Sequence, residues 1–244
     1  MKVAILGATK GMGRALARQM AARGDHLCLL GRSPEELERS SADLAERGAG
    51  SVSTARCDLE DPSSFAEALD TATEALGELE VVVVTAGMFG TQEALAEDLE
   101  RAHRVLVVNY ANTVIFCEHA RQRLLARGGG TLCVFSSVAG DRGRKPVALY
   151  GSSKAGLSHY LESLDHRHRA EGLITICVKP GFVKTSMTEG LKPPPFAGEP
   201  ESVAAQVLEA IDRGTPMVYA PPIWGWIMLI IRSLPRSVMR VVGF

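Results

Sequence analysis

The stretch Met1-Lys2-Val3-Ala4-Ile5-Leu6-Gly7-Ala8-Thr9-Lys10-Gly11-Met12-Gly13 decides the fold. Val3–Leu6 is apolar at consecutive positions, the pattern of a strand buried on both faces of a parallel sheet. Three glycines follow in a GxxxGxG spacing, and a helical segment starts among them. Gly7 permits the tight turn. Gly11 and Gly13 let the backbone approach a pyrophosphate and let the helix pack on the sheet, while the helix N-terminus offers free N–H groups to a phosphate. Thr9, Lys10 and Met12 complete the loop.

Working outward, apolar runs recur at His26–Leu30, Val52–Arg56, Val81–Thr85, Thr131–Phe135, Ile174–Val178 and Met217–Tyr219. Amphipathic stretches lie between them: Glu35–Glu46, Ser63–Leu76, Leu99–Ala126, Leu149–Glu171 and Ser202–Asp212. Strand–helix alternation with short connections means right-handed βαβ units. The expectation is one doubly wound α/β domain of the Rossmann type over residues 1–220, a seven-stranded parallel sheet flanked by helices. A C-terminal amphipathic helical tail follows over residues 221–244. Ligands on such a sheet bind where strands end, so functional residues should follow strands directly.

Composition sets outer bounds. The 244 residues are 46% hydrophobic and 23% charged, with a net charge of −1, which fits one sizeable globular domain and excludes wholesale nucleic-acid binding. The five cysteines, Cys28, Cys57, Cys117, Cys133 and Cys177, form no CxxC pair. They read as buried, reduced thiols of a cytoplasmic protein, with no metal site. No secretory signal and no apolar run long enough to span a bilayer is expected.

The second strand ends Leu29-Leu30-Gly31-Arg32-Ser33 with no acid. An acid there would read a ribose 2′-hydroxyl, whereas a cation accommodates a 2′-phosphate. Arg32 and Lys10 therefore favour NADP(H) over NAD(H). Tyr150-Gly151-Ser152-Ser153-Lys154 opens a helix, and its Tyr and Lys share one face. A nearby ammonium lowers a tyrosine's pKa from about 10, so that Tyr150 can exchange a proton with a carbonyl or alcohol oxygen. Lys154 can also hold the nicotinamide ribose. Ser137 ends the fifth strand, where its hydroxyl can bond the same substrate oxygen. Pro180-Gly181 breaks the sixth strand and starts a loop able to cover the nicotinamide.

With these residues in place the chain resembles the short-chain dehydrogenase/reductase family over about residues 1–220. The resemblance rests on Gly7, Gly11 and Gly13, the Ser137–Tyr150–Lys154 set, Asn109 in Val108-Asn109-Tyr110, and Pro180-Gly181 with Thr185. It implies Tyr150 as acid/base, Lys154 tuning it and binding ribose, Ser137 orienting the carbonyl and Asn109 holding a proton-relay water. It further implies that Val183 and Thr185 contact the carboxamide, that Asp58 and Leu59 flank adenine, and that Ala86 and Gly87 line the cofactor. Leu6 and Thr85-Ala86-Gly87 depart from the family's usual Thr and Asn-Ala-Gly. The family implies a homodimer or homotetramer through the helices Leu99–Ala126 and Leu149–Glu171.

A narrower likeness lies in Ser136–Arg144, Tyr150–Leu157, Val218–Pro222 and Ile227–Arg236. These stretches are similar to the group of decaprenylphosphoryl-2-keto-erythro-pentose reductases. That group implies an NADPH-dependent reduction of a keto sugar on a polyprenyl phosphate, and a partner oxidase completing an epimerase pair. The tail suits such a lipid-linked ketone. Trp224 and Trp226 fit a membrane interface, and Arg232, Arg236 and Arg240, four apart, are expected on one helix face toward anionic lipid on the inner side of the cytoplasmic membrane. Pro235 would kink that helix or start a second one. Arg142, Arg144 and Lys145 stand as candidates for a substrate phosphate. Two other readings remain: a reductase of a soluble small ketone, aldehyde or 3-oxoacyl substrate, and a non-catalytic nucleotide-binding sensor or scaffold.

Overall fold

The computed structural model describes residues 1–242. Seven strands, β1 (Lys2–Leu6), β2 (His26–Gly31), β3 (Ser51–Arg56), β4 (Val81–Val84), β5 (Gly130–Phe135), β6 (Leu173–Pro180) and β7 (Met217–Ala220), form one parallel sheet in the order β3-β2-β1-β4-β5-β6-β7. The order reverses between β1 and β4, the point at which a doubly wound sheet opens a crevice.

Helices cover both faces. On one side lie α1 (Gly11–Ala22), α2 (Pro34–Glu46) and α8 (Pro200–Arg213); on the other lie α3 (Ser64–Leu76), α6 (Thr113–Ala126) and α7 (Ala148–His168). The pleat of β1 divides its residues accordingly. Val3 and Ile5 pack with Leu16, Met20 and Val207, while Ala4 and Leu6 pack with Phe65, Phe116 and Leu157. This two-sided burial is why the strand reads as a continuous apolar run. Local chemistry sets the helix ends. Ser33 accepts the Glu36 N–H at 3.3 Å ahead of Pro34, which opens α2. Gly214, left-handed at φ +64°, ends α8.

Two expected helices differ. The stretch Leu99–Ala126 is not one α-helix: α5 (Leu99–Leu106) widens into a π-helical segment, Val107–Asn112, before α6 begins, and a short α4 (Gln92–Glu97) precedes it. The wider turn holds Asn109 fully buried against the sheet edge. The tail is α9 (Ile223–Ser233) and α10 (Arg236–Val241), separated at Leu234, whose backbone is extended (ψ 136°) ahead of Pro235. The expected single arginine face is therefore split, with Arg232 on α9 and Arg236 and Arg240 on α10. Gly243 and Phe244 lie outside the described residues. Among the described residues no helix is long and apolar enough to cross a membrane.

The turn Val138–Gly140 after β5 packs directly on α7. A Cβ on Gly140 would lie 2.6 Å from the Lys154 carbonyl carbon and 2.7 Å from the Ala155 nitrogen, both rigid backbone. Gly140→Ala must push the turn and the helix apart. The expected cost is about 1–3 kcal/mol of stability, measurable as a lower urea midpoint at unchanged m-value.

Candidate active site

A cleft of about 400 Å³ opens where β1 and β4 part. Its floor is the glycine loop. Gly7 takes φ +100° and Gly11 φ +52°, and a Cβ on Gly13 would collide with the Gly7 carbonyl oxygen and Thr85 Oγ1. Thr85 Oγ1 donates to the Gly7 carbonyl at 2.9 Å, tying the end of β4 to the loop. The departure from Asn-Ala-Gly is thus filled by a hydroxyl that holds the loop in shape. Thr9, Lys10, Met12, Ala86, Gly87 and Thr185 line the same cleft, as do Asp58 and Leu59 after β3. A bare-backbone cradle at a helix N-terminus fits a dinucleotide's pyrophosphate.

The electrostatics at the outer end correct one expectation. A carboxylate does stand there: Glu36, from the first turn of α2, faces the cleft and pairs with Lys10 at 2.6 Å. The Lys10 hydrogen bond holds the Glu36 carboxyl below its usual range. Reading only the strand end misses it, because it arrives from the next helix. Arg32 is 72% exposed, and its ion-pair partner among the described residues is Glu60, at 3.8 Å. Glu60 is already committed to Arg104 at 2.8 and 2.9 Å, so Arg32 is the freer cation.

At the inner end, Ser137, Tyr150 and Lys154 come together from β5 and α7. Lys154 is buried, donates to the Phe135 carbonyl at 2.9 Å, and stands 6.0 Å from the centre of the Tyr150 ring. Its Nζ would lie 3.6 Å from a Cβ on Gly87, so the pair adjoins the cofactor cleft. Phe89 meets Tyr150 edge-on, ring centres 5.1 Å apart. Ser137 Oγ accepts the Ala139 N–H at 3.1 Å and makes a long 3.5 Å bond to the Pro180 carbonyl. Burial pushes the Tyr150 hydroxyl up to about 12, with Ser137 pulling it down, and pushes Lys154 down to about 8. The expected lowering of Tyr150 by Lys154 is not found in this arrangement: desolvation dominates, Ser137 alone opposes it, and the ammonium is spent on Phe135.

Asn109 places its side chain on Met88: Oδ1 accepts the Met88 N–H and Nδ2 donates to the Met88 carbonyl, both at 2.7 Å. Its amide is a clamp on the segment after β4. Val183 is buried behind the cleft rather than lining it, and Gly181 lies under the Trp224 indole. Arg142 and Lys145, considered for a substrate phosphate, instead donate to the Leu234 and Arg240 carbonyls of the tail at 2.7 and 2.6 Å. All five cysteines are buried and free. Burial pushes Cys57 up to about 12, far from a reactive thiolate.

Residues 1–195 match the short chain dehydrogenase family. The chain belongs to that family. An uncharacterized oxidoreductase of Mycobacterium tuberculosis is 32% identical over 98% of this chain and 95% of its own length. Another, from Streptomyces coelicolor, is 34% identical over 97% and 93%. Carbonyl reductase family member 4 of Xenopus tropicalis is 28% identical over 86% and 90%. A short-chain type dehydrogenase/reductase structure from Mycobacterium ulcerans superposes with a TM-score of 0.81 over 89% of this chain and 86% of that one, at 24% identity, a likeness of fold. The chain is accordingly an oxidoreductase of a family that binds nicotinamide cofactors.

Asn109→Ala removes both partners of Met88. Each orphaned backbone group costs about 1–3 kcal/mol if it stays buried. A clear drop in thermal midpoint is expected, together with a weaker grip on the dinucleotide in equilibrium binding.

Proposed function

We propose that this short chain dehydrogenase is an NADP(H)-dependent ketoreductase whose substrate is a keto sugar on a polyprenyl phosphate, met at a membrane surface. The observation that carries the chemistry is the meeting of Tyr150, Lys154 and Ser137 next to Gly87, adjoining the cofactor cleft. When bound, NADPH supplies the hydride. Tyr150 Oη gives the proton to the carbonyl oxygen, and Ser137 Oγ donates a hydrogen bond to that oxygen as charge develops. Lys154 holds the ribose hydroxyls and stabilises the phenolate left on Tyr150. Asn109 keeps the floor rigid through Met88, and a relay water at this residue would have to use what its clamped amide leaves over. Pro180, Gly181, Val183 and Thr185 support the nicotinamide side from β6 and its following loop.

The lipid part of the reading rests on the tail. Met228 and Ile231 of α9 bury against Val138, while Trp226, Leu229 and Ile230 are 70%, 56% and 65% exposed on the other face. The only charged residues of 221–244 are Arg232, Arg236 and Arg240, all exposed. An apolar face flanked by cations suits an anionic bilayer surface. The likeness to carbonyl reductase family member 4 favours a second reading, a soluble small ketone. In the first reading an oxidase partner would supply the ketone, and the exposed Tyr110 and Ile115 would meet a second copy across the α6/α7 faces.

NADPH oxidation is measured with a polyprenyl-phosphoryl 2-keto-pentose and with a panel of soluble ketones. Lipid turnover that vanishes in Tyr150→Phe supports the proposal. Turnover of soluble ketones alone supports the second reading, and a Tyr150→Phe protein with every parental property would mean a sensor or scaffold. Reduction needs Lys154 charged, and burial has brought its pKa down to about 8. The rate should be flat from about pH 6 to 7 and fall as pH rises through about 8. Arg32→Ala should raise the KM for NADPH at least about tenfold, since a charge-assisted bond contributes about 1.5–3 kcal/mol, and leave that for NADH unchanged.

A further inference from the structure

The loop between Ser137 and Tyr150 carries three cations, and two are accounted for by tail carbonyls. The third, Arg144, is different. Its Nε is sealed from solvent and has no hydrogen-bond partner among the described residues, and no described carboxylate pairs with its guanidinium. Burial pushes it down from its ordinary value, and Asp141 is the charge that acts in the opposite sense. Asp141 is itself fully used. Its Oδ1 takes Lys179 Nζ at 2.6 Å and its Oδ2 takes the Tyr219 hydroxyl at 2.7 Å. Lys179 also lies 5.7 Å from the Tyr219 ring centre, and the Arg232 guanidinium of α9 acts on the same hydroxyl. Lys179 and Arg144 thus act on Asp141, and Arg232 on its partner Tyr219.

The cluster sits on the substrate side. Asp141 follows the turn that starts at Ser137, and Lys179 immediately precedes Pro180, whose carbonyl accepts from Ser137. A half-buried guanidinium without partners is costly, and such orphaned groups are found where a ligand completes the site. The guanidinium fork matches a phosphate's oxygens in geometry and charge.

We propose that Arg144, backed by Arg232 and Lys179, forms a subsite for a phosphate ester of the ketone substrate, next to Ser137. The proposal deepens the reading as a reductase of a phosphate-linked ketone and rests on it. Arg144 supplies the fork. Asp141, which acts on Arg144, holds Lys179 and Tyr219 in place, and α9 brings Arg232 to the Tyr219 hydroxyl.

The test uses the full chain saturated with NADPH, so that added phosphate cannot occupy the cofactor's own positions. The thermal midpoint is followed against inorganic phosphate, with acetate and chloride at matched ionic strength. The parent should be stabilised by phosphate beyond either control. Arg144→Met should keep or raise the midpoint in phosphate-free buffer, because an unpaired buried charge is gone, and should lose the phosphate-dependent rise. Arg144→Lys should retain part of the rise, and Arg213→Met, remote and exposed, should retain all of it. An undiminished rise in Arg144→Met would overturn the proposal. So would a lower midpoint of both Arg144 variants in phosphate-free buffer, which would mean a structural arginine.

Two further arms locate the source of the phosphate and protect the distinction. Turnover of a neutral soluble ketone should be unchanged in Arg144→Met. If the parent itself reduces no ketone, the reading as a reductase fails while the phosphate result stands by itself. Co-sedimentation with phosphatidylglycerol and phosphatidylcholine vesicles should not depend on Arg144. A loss of phosphatidylglycerol binding in Arg144→Met would assign the site to a lipid headgroup and overturn its assignment to the substrate.

Discussion

The arrangement depends on one seam, where the end of β5 meets the first two turns of α7. Ser136 Oγ donates to the Lys154 carbonyl at 2.9 Å and meets Ser158 Oγ at 2.7 Å, while Lys154 Nζ returns to the Phe135 carbonyl. Gly140 and Gly151 let the turn and helix touch backbone to backbone, a Cβ on Gly151 lying 2.8 Å from the Ala139 carbonyl oxygen. Polar side chains from two elements are thereby held together at one seam. Neither the serine nor the tyrosine has the conformational freedom it would have on a free loop, and that preorganisation is what proton transfer to a single oxygen requires.

The seam also sets the site's electrostatics. A lysine buried without a carboxylate is expensive, and a neighbouring carbonyl offsets only part of the cost. Lys154 accepts that penalty because burial excludes water from the tyrosine it faces. The same desolvation raises Tyr150 to about 12 and lowers Lys154 to about 8, driving apart two groups whose ordinary values nearly coincide. Both groups therefore hold their protons near neutral pH, which leaves Tyr150 able to act as an acid toward a carbonyl oxygen, and a bound dinucleotide would give the ammonium a second set of partners.

The parts that could be read from sequence share a cause. The five inner strands are buried on both faces and read as apolar runs, whereas the edge strands β3 and β7 are only partly buried, and the glycines of the first turn have no other use than close approach. The Tyr–Lys spacing fixes a shared helix face. What could not be read comes from contacts between distant segments. Glu36 enters the cleft from α2 because the cap at Ser33 aims that turn back toward Lys10. Asn109 clamps Met88 only because the helix widens at Val107–Asn112, and nothing in that run of residues differs from an ordinary α-helix. Pro235 advertised a break in the tail, but not that the break would strip the three arginines from a common face.

The tail does more than extend the chain. Trp224 lies over Gly181 and donates to the Phe196 carbonyl at 3.3 Å, so α9 touches the loop after β6. Arg142 and Lys145 hold the carbonyls at the ends of α9 and α10 from the loop before Tyr150. The two loops that border Ser137, Tyr150 and Lys154 are therefore joined through the tail. Burying Met228 and Ile231 contributes on the order of 1.5–3 kcal/mol each, enough to keep α9 seated above a cluster that carries an unneutralised guanidinium. The packing on one face of α9 tolerates the charge beneath it, and the apolar residues on its other face remain free. A substrate that is polar at its reacting end and apolar at the other would satisfy both surfaces at once, which a small soluble ketone cannot do.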